Sequence, residues 1–149
     1  MEIKKFEALN VSSKFAICGL PIRVDTYKNC TFGCEYCFSN NRKICEFDKK
    51  IQIANINSVE KRLDRIFNKG DYSYTNFLDM LIADRITWHC GGMSDPFQPI
   101  EGQMHVTGEL IDVCNKYGIS ILFSTKSDCL YGANIRPDLH SFQLSVSNV

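Results

Sequence analysis

The chain has 149 residues, 44% of them hydrophobic and 11% aromatic, which is enough to bury one core. Lys plus Arg and Asp plus Glu number 17 each, so the balanced charge lends no support to a nucleic-acid or anionic-membrane partner. The chain has no run of 18 apolar residues, and Met1-Glu2-Ile3-Lys4-Lys5 lacks the apolar stretch of a secretory signal; both predict a cytoplasmic protein without a membrane span.

In chain order, residues 22–27 (Ile-Arg-Val-Asp-Thr-Tyr) alternate apolar and polar as a first strand would, and they run into a cluster of cysteines. From Ser58, a good N-cap, Val59, Leu63, Ile66 and Phe67 recur at helical spacing until Gly70. Phe77, Leu78, Leu81 and Ile82 predict a second helix over 74–83. Residues 86–90 (Ile-Thr-Trp-His-Cys) form the second predicted strand, ended by Gly91-Gly92. Thr107 is read as the cap of a helix carrying Leu110, Ile111, Val113 and Cys114 and closed by Gly118. Strands over 119–124 and 142–146 follow, and the short segment between them, with Pro137, leaves room for little more than a turn. No repeat, low-complexity tract or linker divides residues 1–149, so one domain is expected. Strands separated by helices predict an α/β fold with a parallel sheet, and ligands of such sheets bind at the carboxyl ends of the strands. The cysteines, Gly91-Gly92 and Ser124-Thr125-Lys126-Ser127 all follow strand ends and are expected to converge there.

Eight cysteines without an export signal point to metal or redox use rather than a disulfide framework. Cys18, Cys45, Cys90, Cys114 and Cys129 are scattered among apolar neighbours, the usual setting of small core residues. Cys30, Cys34 and Cys37 instead have the spacing C-x3-C-x2-C, which lets one loop arrange three thiolates around an iron–sulfur cluster. Gly33 gives that loop a tight turn. A closed site needs a fourth ligand, and no further cysteine continues the run; the bland alternative is a structural zinc site completed by Cys18, Cys45 or a histidine.

The cysteine motif, with Tyr36 before its last cysteine, resembles the signature of the radical S-adenosylmethionine (SAM) superfamily. The resemblance implies a [4Fe–4S] cluster on Cys30, Cys34 and Cys37, SAM on the open iron, and reductive cleavage of SAM to a 5′-deoxyadenosyl radical. It also implies an electron donor of the flavodoxin or ferredoxin type. Within the superfamily, Gly91-Gly92-Met93-Ser94-Asp95-Pro96-Phe97-Gln98-Pro99-Ile100-Glu101, Thr125-Lys126-Ser127, Asp25-Thr26-Tyr27 and Ser145 are similar to segments of spore photoproduct lyase and the DNA-repair-photolyase-like proteins. By that similarity the backbone around Tyr36 would contact adenine, and Phe32 and Phe38 would shield the cluster. Gly91 and Gly92 would receive the SAM amino group, Lys126 the carboxylate, and Ser145 the same region, with Asp95 and Glu101 at the mouth of the site.

The fold so implied is a partial parallel (β/α) barrel of the radical SAM type, truncated to about four strands. A four-stranded remnant exposes an apolar edge, so self-association or a second chain completing the barrel is an expected partner. The substrate stays open: nucleic acid is suggested by the subfamily and unsupported by the charge. Cys90 is a candidate hydrogen donor beside the SAM pocket, with packing as its commoner role. His105 and His140 are expected on the surface, and Lys61, Arg62, Arg65 and Lys69 on a solvated helix face.

Overall fold

The structure, a computed structural model, describes residues 3–14, 16–32, 34 and 51–145. Its framework is a five-stranded sheet in the order β2 (Leu9–Val11), β3 (Ile22–Val24), β6 (Trp88–Cys90), β7 (Ile121–Thr125) and β8 (Ser141–Leu144). β3, β6, β7 and β8 are parallel neighbours in sequence order, as expected of the four predicted strands. β2 adds an antiparallel partner to β3, so that edge is covered by a strand the apolar–polar pattern did not reveal. β2 and β8 end the sheet on opposite sides, and the described strands form an open sheet rather than a closed barrel.

A second, smaller sheet sets the base of the cysteine loop. β5 (Gln52–Ala54) lies between β1 (Lys5–Phe6), which is parallel to it, and β4 (Tyr27–Lys28), which is antiparallel. The chain leaves β4 toward the cysteines and returns along β5, with Tyr27 opposite Ile53 and Lys28 opposite Gln52, so this pairing clamps the loop at both ends.

The helices pack on one face of the large sheet because the strands alternate. Ile22, Val24, Trp88, Cys90, Ile121 and Phe123 point the same way and are buried with Val59, Leu63, Ile82, Leu110, Ile111 and Cys114 in one core. α1 (Ile56–Leu63) continues through a π-helical turn, Asp64–Asn68, and is followed by α2 (Phe77–Ala83), α3 (Glu101–Met104) and α4 (Val106–Tyr117). Between β7 and β8 there are turns only, as Pro137 and the short spacing predict. No helix among the described residues is long and apolar enough to cross a membrane.

Several local expectations are corrected. The cap of α1 is Asn55, whose side chain accepts the Ser58 amide at 3.3 Å, because the helix starts a turn earlier than its first apolar pair suggests. Thr107 lies inside α4, where its hydroxyl donates to the Pro96 carbonyl at 2.6 Å. α4 is capped instead by the buried Glu101 carboxylate, which accepts the amides of Thr107 at 3.0 Å and Gly108 at 2.9 Å. His140 is buried, not on the surface: Nδ1 accepts the Ile121 amide at 3.2 Å and Nε2 lies 2.6 Å from Asn115 Oδ1. Arg62 and Arg65 do not form a free solvated face but grip the buried Asp79, with Arg65 Nη2 2.7 Å and Arg62 Nε 3.2 Å from its two oxygens. Lys61 and Lys69 are exposed as expected. Of the scattered cysteines, Cys90 and Cys114 are core residues, whereas Cys18 and Cys129 are exposed.

Candidate functional site

Asn29 follows β4 with φ 71°, a left-handed turn that asparagine tolerates, and this turns the chain into Cys30. The fully buried Gln98 then holds both neighbours of Cys30. Its Oε1 accepts the Thr31 amide at 3.0 Å and the Thr31 hydroxyl at 3.3 Å, while its Nε2 donates to the Asn29 carbonyl at 3.1 Å. Two residues back from this turn, the Ser94 hydroxyl donates to the Tyr27 carbonyl at 2.6 Å. Tyr27 itself is buried and donates its phenol proton to Glu101, and burial with that carboxylate drives its ionisation far upward.

Cys30 and Cys34 are half-buried and near enough to feel each other's charge. Burial pushes the Cys30 thiol up, while hydrogen bonds from the backbone N–H groups of Phe32 and Asp95 pull it down. Gly33, Tyr36, Cys37, Phe38 and Cys45 lie outside the described residues, as does Val146. Among the described residues no group of three or more His, Cys, Asp or Glu is arranged to hold a metal ion, so neither Cys18 nor a histidine joins Cys30 and Cys34.

At the end of β6, Gly91 has φ +106°, and a Cβ there would sit 2.1 Å from the Ser124 carbonyl oxygen. Only glycine lets the two strand ends approach this closely. Gly92 has ordinary space, with a built Cβ 3.5 Å from the Arg23 guanidinium and 3.7 Å from the His89 ring. Asp95 ties this segment to the end of β7, since its Oδ1 accepts the Thr125 hydroxyl at 2.6 Å and the Phe97 amide at 2.9 Å, and its Oδ2 accepts the Lys126 amide at 2.7 Å. Lys126 is thereby fixed at its backbone with an exposed side chain, and the Ser145 amide bonds the Thr125 carbonyl at 2.9 Å. The carboxyl ends of β3, β6, β7 and β8 therefore carry Cys30, Gly91, Gly92, Lys126 and Ser145 around one buried polar segment.

Asp95 and Glu101 differ from their expected place at the mouth of the site. Both are buried and spent on internal hydrogen bonds, Asp95 between strand ends and Glu101 between Tyr27 and α4. Cys90 is on the helix side of the sheet, where complete burial drives its thiol well above the ordinary range, the packing role. His89, its neighbour, points to the other face and places Nε2 2.9 Å from Ser124 Oγ. Gln98, Thr31 and Arg23 were not singled out from sequence, whereas Ser124 was, as part of the strand end at 124–127. Gln98 lies within a segment that was, but no pattern marks a buried glutamine, whereas Arg23 could have been found from the alternation Ile22-Arg23-Val24.

Comparison with known proteins finds no family model that matches the chain, and no curated protein or solved structure with significant similarity to it. Fold and site together define a mixed α/β protein whose mostly parallel sheet carries a cysteine-bearing loop at its carboxyl ends.

Proposed function

We propose that the chain is a radical SAM protein built on part of a (β/α) barrel, holding a [4Fe–4S] cluster on Cys30, Cys34 and Cys37 and cleaving SAM reductively. The observation that carries the reading is the C-x3-C-x2-C spacing on a loop whose first cysteine is braced on both sides by Gln98. The residues present fit such a group. Burial raises the Cys30 thiol, and the backbone N–H groups of Phe32 and Asp95 oppose that rise in favour of the thiolate that a cluster ligand must be. Gly91 and Gly92 leave backbone open to close approach, and Lys126 offers an exposed ammonium on the same rim.

When bound, the reduced cluster supplies the electron that breaks a carbon–sulfur bond of SAM. The residues of the chain do the rest. Gln98 holds the Cys30 loop in register, Asp95 holds the Lys126 backbone at the end of β7, and Lys126 offers a point charge to the SAM carboxylate. Ser145, with its exposed side chain, offers a further hydrogen bond to the same region, and Tyr36 backbone contact to the adenine. An external one-electron donor of the flavodoxin or ferredoxin type is part of the proposal.

The test is anaerobic reconstitution with iron and sulfide, then dithionite and SAM, with 5′-deoxyadenosine quantified for the wild type and Cys34→Ala. Cysteine-dependent 5′-deoxyadenosine is expected. A colourless protein that binds zinc in place of iron would sink the reading in favour of a structural zinc site.

A further inference from the structure

The face of the large sheet opposite the helices is polar and only partly covered. Arg23, His89 and Leu122 are register partners across β3, β6 and β7, so their side chains share that face. Ser124, two residues after Leu122, joins them and is paired with Gln143 of β8. Arg23, His89, Leu122 and Ser124 are all half-buried. Parallel strands are normally covered on both faces by apolar packing, yet this face presents a guanidinium, an imidazole and a hydroxyl around one leucine.

Arg23 is the unmatched member. Among the described residues its guanidinium makes no hydrogen bond and no ion pair. Asp25 is close enough to interact with it electrostatically but does not pair with it. The Gly92 backbone passes beside both the Arg23 guanidinium and the His89 ring, each within 4 Å of where a Gly92 side chain would begin. The Ser124 hydroxyl has Gln143 Oε1 at 3.4 Å as an acceptor, which assigns the 2.9 Å contact with His89 as Nε2–H donating to Ser124 and leaves Nδ1 as an acceptor. Burial and the neighbouring Arg23 cation both hold His89 neutral.

We propose that this face seats the substrate, and that the substrate carries an anionic group, a carboxylate or a phosphate, received by Arg23 beside Gly92 while His89 and Ser124 hydrogen-bond its uncharged part. A guanidinium offers paired N–H donors that match either group, and a half-buried one gains more from an anion than a solvated one does. The role as substrate rests on the function proposed above; anion binding at Arg23 does not.

The full-length chain without cluster, labelled with 15N, tests the site. Sodium acetate and inorganic phosphate are titrated separately against chloride at constant ionic strength, while the Arg23 Nε and His89 ring signals are followed. A saturable shift with acetate, phosphate or both is expected, weakened about tenfold or more in Arg23→Gln and less in Arg23→Lys. Shifts no different from those of chloride, or undiminished in Arg23→Gln, overturn the site. The same titration on Cys34→Ala separates the two ideas. Anion binding is expected to survive there; anion binding without any SAM cleavage by the reconstituted wild type overturns the function and leaves the site standing, and SAM cleavage without anion binding overturns the site alone.

Discussion

An alanine at Gly91 would drive its methyl group into the Ser124 carbonyl at 2.1 Å from a φ of +106°, so Gly91→Ala is expected to cost about 2 kcal/mol or more. A lowered urea midpoint would record it. Gly92→Ala meets only ordinary contact with Arg23 and His89, so its midpoint should stay close to that of the wild type, and on the proposed function SAM binding by the reconstituted protein should weaken. Gln98→Leu strands the Thr31 amide and the Asn29 carbonyl, each at roughly 1–3 kcal/mol if left unpaired. On the proposed function, iron retained per chain after reconstitution should fall, although none of the three cysteines is touched. His140 gives a pH signature. Its folded pKa is depressed, first by burial and then by Arg136, so the unfolded chain takes up protons that the folded chain resists. Stability is therefore fully present above the ordinary histidine value of 6.5 and is lost as pH falls through the window below it. Urea midpoints at pH 7.5 and 5.5 should show a smaller difference in His140→Gln than in the wild type, and equal differences would refute the assignment. The buried state of His140 was invisible in sequence because its partners, Asn115 and the Ile121 amide, are brought to it by the pairing of β7 with β8.

Among the elements, the helical period of Val59, Leu63 and Ile66 located α1 and its π-helical continuation, since a buried apolar stripe is a local repeat. The other face was misread for the same reason. Arg62 and Arg65 look solvated on a helical wheel, but α2 brings the buried Asp79 against them, and Asp79 is itself held by the Asn76 cap of α2. Asp79→Ala should cost about 1–3 kcal/mol, discounted from the full value of a buried pair because both arginines keep access to water. Thermal unfolding would measure it, and a loss no larger than that of Lys61→Ala would contradict the role. The start of α4 was also misplaced. Rules for helix caps look one to three residues upstream, whereas Glu101 reaches its Thr107 and Gly108 amides from α3, across the left-handed His105.

In the molecule as a whole, one polar segment, Ser94 through Glu101, joins the cysteine loop, the end of β7 and the start of α4. Disturbing it at Asp95 is expected to loosen two strand ends together, so hydrogen exchange in Asp95→Asn should quicken at both Phe97 and Lys126. Strand periodicity, the turn glycines and the cysteine spacing, all local in the chain, determined by themselves the four parallel strands and the loop that follows the first of them. Only the tertiary structure decided that β2 covers the edge of β3 and that Asp95 and Glu101 are buried braces. It alone also set the half-buried Arg23 beside Gly92 without a hydrogen-bond or ion-pair partner among the described residues. A backbone pattern is written in neighbouring residues, whereas the partner of a polar side chain is chosen by segments far away along the chain.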